Sequence, residues 1–493
     1  MTTEAEEKAL RYRRAISVTR AEEITEKEKR VRQLQLDKPC HKPRDSLFSW
    51  SSEFTNFTGL VNWGFLMLSI GGLRLCLENF LKYGIRVNPI EWILVLTGYH
   101  EGNSHQYPSV ILLTFAVVPT VCSLLFEKAI ASSLISERVG IWVQISNILF
   151  VITFPVFVMM FTNQEFSFVG STTVCMVYLI LFLKLWSYCQ TNHWCRTASK
   201  GKYAKNKLRR QSLSAPNYNE LINAEQEQTI EDERNGDEAA AGIVKYPNNL
   251  NLKDLFYFLL APTLCYELNF PRTTRIRKRF LIKRLLEVVF GVNMVLSLFQ
   301  QWMIPSVTNS LDTFSQMDVV RITERLLKLS VPNHLIWLCL FYLTFHSFLN
   351  LMGEMLQFAD RYFYNDWWNA NNITEFWSSW NIPVHLWAVR HVYVPITTMG
   401  YSKAVASIVV FFISAFFHEY LVSVPLKMFR VWAFLGMMAQ PPLAVISRFV
   451  QRRLGPRWGN IIVWSSLILG QPLAIMMYYH DYGLLHMETR TAE

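Results

Sequence analysis

Runs of about 20 mostly apolar residues recur along this chain, and that is the length a helix needs to cross the hydrocarbon core of a bilayer. They fall at residues 61–83, 108–126, 139–161, 166–186, 285–304, 334–352, 404–424, 428–446 and 461–482. Lipid offers no hydrogen bonds to an open backbone, so such runs fold as helices that satisfy their own N–H and C=O groups. With 51% hydrophobic and 14% aromatic residues over 493 positions, the composition exceeds that of ordinary soluble domains. The expectation is an all-α polytopic membrane protein with about nine transmembrane helices. An odd number of passes puts the termini on opposite sides. Basic loops mark the cytosol, so the N-terminus is expected there and the short tail after Tyr482 in the lumen.

Residues 1–50 hold 12 basic and 9 acidic side chains and no apolar stripe, so 1–52 reads as a cytosolic tail ahead of a membrane domain at 53–493. The first apolar run begins too far into the chain for a cleaved signal peptide. Residues 198–243, basic and then acidic, read as a flexible polar linker inside that domain. The net charge of +10 sits in loops beside the spans. There it reports orientation and contact with anionic lipid rather than nucleic acid.

Eight cysteines show no paired spacing, and Cys76, Cys122, Cys175 and Cys339 lie inside apolar runs, as free buried thiols would. Cys189, His193 and Cys195 lack a fourth ligand, so no metal is expected. Arg74 and Glu78, four residues apart, can pair along one helix face. Ser212 in RRQS fits a short phosphorylation pattern that is common by chance, and the sequons at Asn56 and Asn372 fall on cytosolic or interfacial positions.

The stretch from Phe363 to Tyr420 is the chemical centre. It opens with FYNDWWN, passes through WSSWNIPVHLW and closes with FFHEY, with five tryptophans between Trp367 and Trp387. Residues 360–399 are too polar to cross lipid and too aromatic for solvent, which predicts an interfacial or re-entrant element buried in protein. His418 interrupts the run VVFFISAFFHEYLVSVP, about 14 residues from the start of the span 404–424 and hence roughly 20 Å along a helix. An ionisable residue at such depth is a functional-site candidate.

Ser414 shares the face of His418, and Glu419 points about 100° away. HEYLV has no second histidine four residues on, so it is not the zinc-protease helix motif. Three roles stay open for His418: a general base, a helix-bridging hydrogen-bond partner, or a proton relay in a transporter. As a base, a neutral imidazole takes the proton of an alcohol attacking an activated acyl group, a contribution of about 10²–10⁴ in rate. Pro383 fits the first turn of a helix, which leaves Asn381 just before it and His385 inside it. Asn381 is then a helix cap, the commoner role, or an amide that polarises a reacting carbonyl.

At these residues the chain resembles the membrane-bound O-acyltransferase superfamily. FYNDWWN matches the motif shared by its sterol and diacylglycerol acyltransferase branch, and His418 matches that branch's intramembrane histidine. APTLCYELNFPR, RLLKLSVPNHLIW, SWNIPVH, HEYLVSVPL, FLGMMAQ and GQP are similar to the first type of diacylglycerol acyltransferase, over residues of about 54 to 482. The resemblance implies a bundle with an intramembrane reaction chamber. It implies transfer of a fatty acyl group from acyl-CoA to the free hydroxyl of 1,2-diacylglycerol, with acyl-CoA as co-substrate and no further cofactor.

By the same resemblance His418 is the general base and Asn381 holds the thioester. Trp377, Ser378, Ser379, Trp380, Asn381, Ile382, Pro383, Val384, His385 and Tyr393 line the acyl-CoA path. Phe363, Tyr364, Asn365, Asp366, Trp367, Trp368 and Asn369 support its entrance. Ser414, Glu419, Gln440 and Gln471 give the chamber polar groups. A homodimer or homotetramer in the endoplasmic reticulum membrane is implied. The alternatives are a sterol O-acyltransferase of the same fold, which WNIPVHLW and HEYLVSVPL disfavour, and a lipid or proton-coupled transporter, which would not need FYNDWWN.

Overall fold

The computed structural model describes residues 58–97, 107–162, 166–200, 244–308 and 319–492. The charged tail, Asn56, and Ser212 with almost all of the 198–243 linker lie outside the described residues. The chain divides into two units, Met1–Gly84 and Ile85–Glu493. In the first, α1 (Thr58–Tyr83) leaves large apolar side chains such as Phe65, Leu68 and Leu81 exposed, as a helix facing lipid does. Arg74 and Glu78 both stay exposed, and no ion pair closes between them.

The described residues of the second unit form helices and connecting loops, with one isolated bridge between Arg272 and Phe358. It runs α2 (Pro89–Thr97), α3 (Pro108–Phe115), α4 (Val117–Ala131), α5 (Glu137–Phe161), α6 (Phe168–Lys200), α7 (Leu252–Leu260) and α8 (Lys278–Leu298). Next come α9 (Ile304–Thr308), α10 (Val319–Phe341), α11 (Leu349–Met355), α12 (Ile373–Ser379), α13 (Ile382–Ala388) and α14 (Val394–Thr398). The last are α15 (Lys403–Leu426), α16 (Trp432–Met438), α17 (Gln440–Leu454) and α18 (Pro456–Ala492). π-Helical turns at Phe299–Met303, Tyr342–Phe348 and Val389–Tyr393 join α8 to α9, α10 to α11 and α13 to α14. Such turns insert one extra residue into a helix and gather at functional sites.

Among the described residues, eight helices are long and apolar enough to span a membrane, and they coincide with eight of the nine predicted runs. The ninth run, 285–304, also lies on continuous helix, from Lys278 through the first π turn to Thr308. Lys283 and Arg284 immediately precede this run and Glu287 falls inside it, so the start of its helix carries more charge than a spanning segment usually does.

The main core forms where α5, α6 and α15 meet α13, around Val151, Tyr178, Leu185, Trp387, Phe417 and Tyr420. A second, all-aromatic centre joins Trp337 and Phe341 of α10 to Trp367, Phe376 and Trp464. Several charged groups buried in this bundle have specific partners. Lys184, in the middle of α6, donates to the carbonyls of Phe258 (3.0 Å), Leu259 (2.8 Å) and Ala261 (2.8 Å), satisfying the C-terminal end of α7. Arg196 pairs with the buried Glu127. Glu354, with no exposed surface, takes Arg277 at 2.8 Å and Arg361 at 3.1 Å. Cys189 and Cys195 are free thiols, and His193 sits 3.5 Å from Glu137.

The segment α13–α14 is docked on α6 by polar contacts that define a protonation state. Trp387 Nε1 donates to Leu183 O at 2.9 Å, and Arg390 donates to Tyr266 O at 2.9 Å. The His391 ring stacks on Trp194, centroids 5.5 Å apart. Gln190 Oε1 accepts Trp186 Nε1–H at 3.0 Å, so the same oxygen faces His391 Nδ1 at 2.6 Å and the proton resides on Nδ1. Nε2 then accepts from Ser187 Oγ at 2.8 Å. Burial, reinforced by the Arg390 guanidinium, holds His391 well below the ordinary imidazole range.

Two outcomes follow from this packing. Above pH of about 6.5 His391 is neutral in the folded and unfolded chain alike. Below it the unfolded state binds a proton the folded state refuses, so stability falls as pH drops, by at most about 1.4 kcal/mol per pH unit for this ring. Thermal midpoints in detergent should decline from pH 7.5 to 5.5, and His391→Asn should flatten but not abolish the decline, because burial holds His385 low as well. An unchanged slope in the variant would assign the acid sensitivity elsewhere. Separately, a Cβ at Gly459 would overlap the Asn371 carbonyl, which is backbone and cannot swing aside. Gly459→Ala is expected to destabilise by about 1–3 kcal/mol, as overpacking does, and a wild-type melting temperature would refute that contact.

Candidate active site

The two halves of the aromatic stretch are clasped through their backbones. Asn365 N–H donates to Ser379 O at 2.8 Å, and Ile382 N–H donates to Phe363 O at 3.1 Å. This pairing lays FYNDWWN alongside the junction of α12 and α13, where Asn381 sits. Phe363 and Trp367 are buried, and Trp367 packs against Trp337, Phe341, Phe376 and Trp464. Tyr364 OH meets His346 Nδ1 at 2.8 Å. Asn365, Asp366, Trp368 and Asn369 lie on the outer side, exposed, and the Trp368 carbonyl accepts Asn460 Nδ2 (3.1 Å) and Trp464 Nε1 (3.2 Å). The motif is thus a packing hub with one polar rim.

Asn381 caps α13: its Oδ1 accepts Val384 N–H at 3.2 Å, and Pro383 occupies the first turn. The cap fixes which end of the amide is which. Oδ1 turns to the helix, and Nδ2 is left without a hydrogen-bond partner among the described residues. Capping and carbonyl polarisation are therefore compatible, since each uses a different atom. Trp377, Ser378, Ser379, Trp380, Pro383, His385 and Tyr393 are half-buried, Ile382 is buried and Val384 is exposed. Trp380 lies parallel to Phe376, centroids 6.0 Å apart, and meets Phe345 of the second π turn at 5.6 Å.

His418 comes from the middle of α15. Its Nδ1 lies 2.7 Å from the backbone carbonyl of Ser414, and a carbonyl only accepts, so Nδ1 carries the proton and Nε2 presents a lone pair. Ser414 Oγ is 3.5 Å from the same nitrogen, too far for a strong bond. His418 keeps exposed surface although it lies well inside α15, so Nε2 is accessible. Phe411, two turns back on the same face, meets Trp377 at 6.2 Å between centroids. Trp377 Nε1 donates to Gln440 Oε1 at 3.2 Å. Phe411, Trp377 and Gln440 therefore connect the His418 face of α15 to α12 and the start of α17, although no hydrogen bond joins His418 to Asn381.

Glu419 and Gln471 have hydrogen-bond partners of their own. Glu419 accepts Phe434 N–H (3.0 Å), Tyr478 OH (2.6 Å) and the Ser423 hydroxyl, which fastens α15 to α16 and α18. Gln471 is exposed and its Oε1 accepts Asn333 Nδ2 at 3.2 Å. Sequence reasoning missed Trp337, Phe341 and Phe345, which supply one wall of the aromatic centre from α10 and its π turn. It also missed Lys184, which anchors α7. The i, i+4 spacing of Phe341 and Phe345 was the only available signal, and it marks any apolar helix face.

The membrane-bound O-acyltransferase family model matches residues 131–480. The chain is 47% identical over 457 residues to Diacylglycerol O-acyltransferase 1 of Bos taurus, spanning 92% of this chain and 87% of that protein. It is 46% identical over 454 residues to the Homo sapiens protein of the same name, 92% and 86% of the two chains. The Dictyostelium discoideum protein of that name is 33% identical over 449 residues, 90% of this chain and 65% of its own. The chain belongs to the membrane-bound O-acyltransferase family.

Proposed function

We propose that this protein transfers a fatty acyl group from acyl-CoA to the free hydroxyl of 1,2-diacylglycerol, giving triacylglycerol and CoA. The observation that carries the chemistry is the His418 tautomer. With Nδ1–H held by the Ser414 carbonyl, Nε2 is free to accept a proton. The acceptor class rests on the similarity to proteins named Diacylglycerol O-acyltransferase 1.

The reaction runs in two balanced steps. Nε2 of His418 takes the hydroxyl proton as the alcohol oxygen bonds to the thioester carbon, whose carbonyl oxygen becomes an oxyanion. Asn381 Nδ2 donates to that oxygen, its orientation held by the Val384 cap. Collapse re-forms the carbonyl, breaks the C–S bond and releases CoA thiolate, which takes the proton back from the imidazolium. Exclusion of water from the site keeps the thioester from hydrolysis.

In this reading Trp377 to His385, with Tyr393, line the acyl-CoA path, and Phe363 to Asn369 hold its entrance in shape. Gln440, Gln471 and Ser414 give the chamber polar groups, and Glu419 holds α15 in place. Acyl-CoA is the co-substrate and no further cofactor is required. The protein is placed in the endoplasmic reticulum membrane as a homodimer or homotetramer. It has a cytosolic tail at 1–52 and a membrane domain at 53–493 with its C-terminus lumenal.

His418→Ala, assayed in detergent with labelled oleoyl-CoA and diacylglycerol, should lose transfer by about 10²–10⁴ while keeping the wild-type melting temperature. A folded variant with wild-type turnover would remove the base assignment, and cholesteryl ester as the product of the wild type would move the acceptor to sterols. Asn381→Asp keeps a capping oxygen but has no N–H. It should melt within a few degrees of wild type and lose about 10²–10³ in kcat, the loss typical of removing one oxyanion donor. Normal kcat in Asn381→Asp with impaired stability in Asn381→Ala would reduce Asn381 to a cap.

A further inference from the structure

Between Glu419 and Asp481 the chain has no acidic residue, yet the turn from α17 into α18 carries Arg448, Arg452, Arg453 and Arg457 within ten positions. Arg452, Arg453 and Arg457 are exposed. None of these three has an acidic partner among the described residues, and Arg453 lies only over the Phe449 ring, 5.6 Å from its centroid. Phe449, Leu454 and Trp458 are interleaved with them and are 59%, 61% and 54% exposed. The other basic stretch, 272–284, has three of its seven cations engaged within the protein, while Arg275, Lys278, Arg279 and Lys283 are exposed. Arg277 pairs with Glu354, Arg284 with Glu287, and Arg272 lies over Tyr257.

Both stretches meet the segment 361–371, because Gly459 abuts the Asn371 carbonyl while Arg361 and Arg277 share Glu354. Cations alternating with a tryptophan and two large apolar groups are what a helix turn presents at the boundary between hydrocarbon and headgroups. The apolar members favour a lipid over a free nucleotide, since Phe449, Leu454 and Trp458 offer large exposed apolar surface beside the cations.

We propose that Arg452, Arg453 and Arg457 hold the phosphate headgroup of an anionic phospholipid whose chains lie against Phe449, Leu454 and Trp458. The turn is fastened to the loop that follows FYNDWWN. Gln451 Oε1 accepts Asn372 Nδ2 (2.9 Å), Ser447 Oγ accepts Ile373 N–H (3.2 Å), and Asn460 Nδ2 donates to the carbonyls of Trp368 (3.1 Å) and Ala370 (2.8 Å). A lipid seated on the turn therefore stiffens the segment that leads into α12, and leaflet composition is felt at the start of the aromatic stretch.

The test uses the full chain in nanodiscs of neutral phosphatidylcholine with and without phosphatidylglycerol, reading lipid retention by native mass spectrometry and the melting temperature. Wild type should retain phosphatidylglycerol and melt higher with it, and the gain should shrink in high salt. The triple variant with Arg452, Arg453 and Arg457 each changed to Gln should bind the anionic lipid more weakly by on the order of a hundredfold and show no gain. The triple Lys variant should keep most of it, and Arg457→Gln alone should lose part. An undiminished gain in the triple Gln variant would overturn the site. So would a raised KM for acyl-CoA in neutral discs with the lipid response intact, which would make the arginines a nucleotide contact. Lipid retention is read without turnover, so the result does not depend on which alcohol is acylated.

Discussion

Lys184 sits in the middle of a membrane-spanning helix, where an ammonium group has no water to turn to. It finds three carbonyls at the frayed end of α7 instead, and that end would otherwise be left with unsatisfied acceptors. The same rule recurs wherever charge enters the bundle. Glu127 is closed by Arg196, Glu354 by two arginines, and Glu419 by a backbone N–H and two hydroxyls. Losing one partner of such a set strands a buried charge, which is strongly destabilising. The helices are therefore held in register by polar matching as well as by apolar contact, and contact alone selects few partners among lipid-facing surfaces.

His418 differs from these buried charges. One of its nitrogens is satisfied locally, by the carbonyl one turn back, and the other is accessible. The contrast with His391 is instructive, because both nitrogens of His391 are engaged and its ring is stacked. His391 and His418 thus have opposite characters. His391 is a structural joint that works only as the neutral ring, and His418 has capacity to spare. Asn381 shows the same economy, with one end of its amide committed to a helix N-terminus and the other end uncommitted.

The clasp between Phe363–Asn365 and Ser379–Ile382 is what gives FYNDWWN its place. Trp367 is buried among aromatic rings from α10, α12 and α18, so the motif reports packing from several parts of the chain at once. Its outer rim is tied to α18 through Asn460 and Trp464, and the loop beyond it to α17 through Asn372 and Ile373. A strain applied at the α17–α18 turn therefore has a short hydrogen-bonded route to the aromatic stretch.

Much of this was legible in the residues themselves. Apolar runs of bilayer length determined the helical spans, because lipid leaves a backbone no other form. Pro383 determined the start of α13 and with it the capping position of Asn381, and the apolar run around His418 marked the histidine as out of place. All of these are local properties, carried by neighbours a few positions away. Tertiary structure alone decided that Glu419 belongs to α16 and α18. It alone decided that Phe411 of α15 meets Trp377 of α12, and that Lys184 serves a helix some seventy residues away. Those outcomes depend on how helices cross. No spacing along one strand of sequence encodes which apolar face finds which partner.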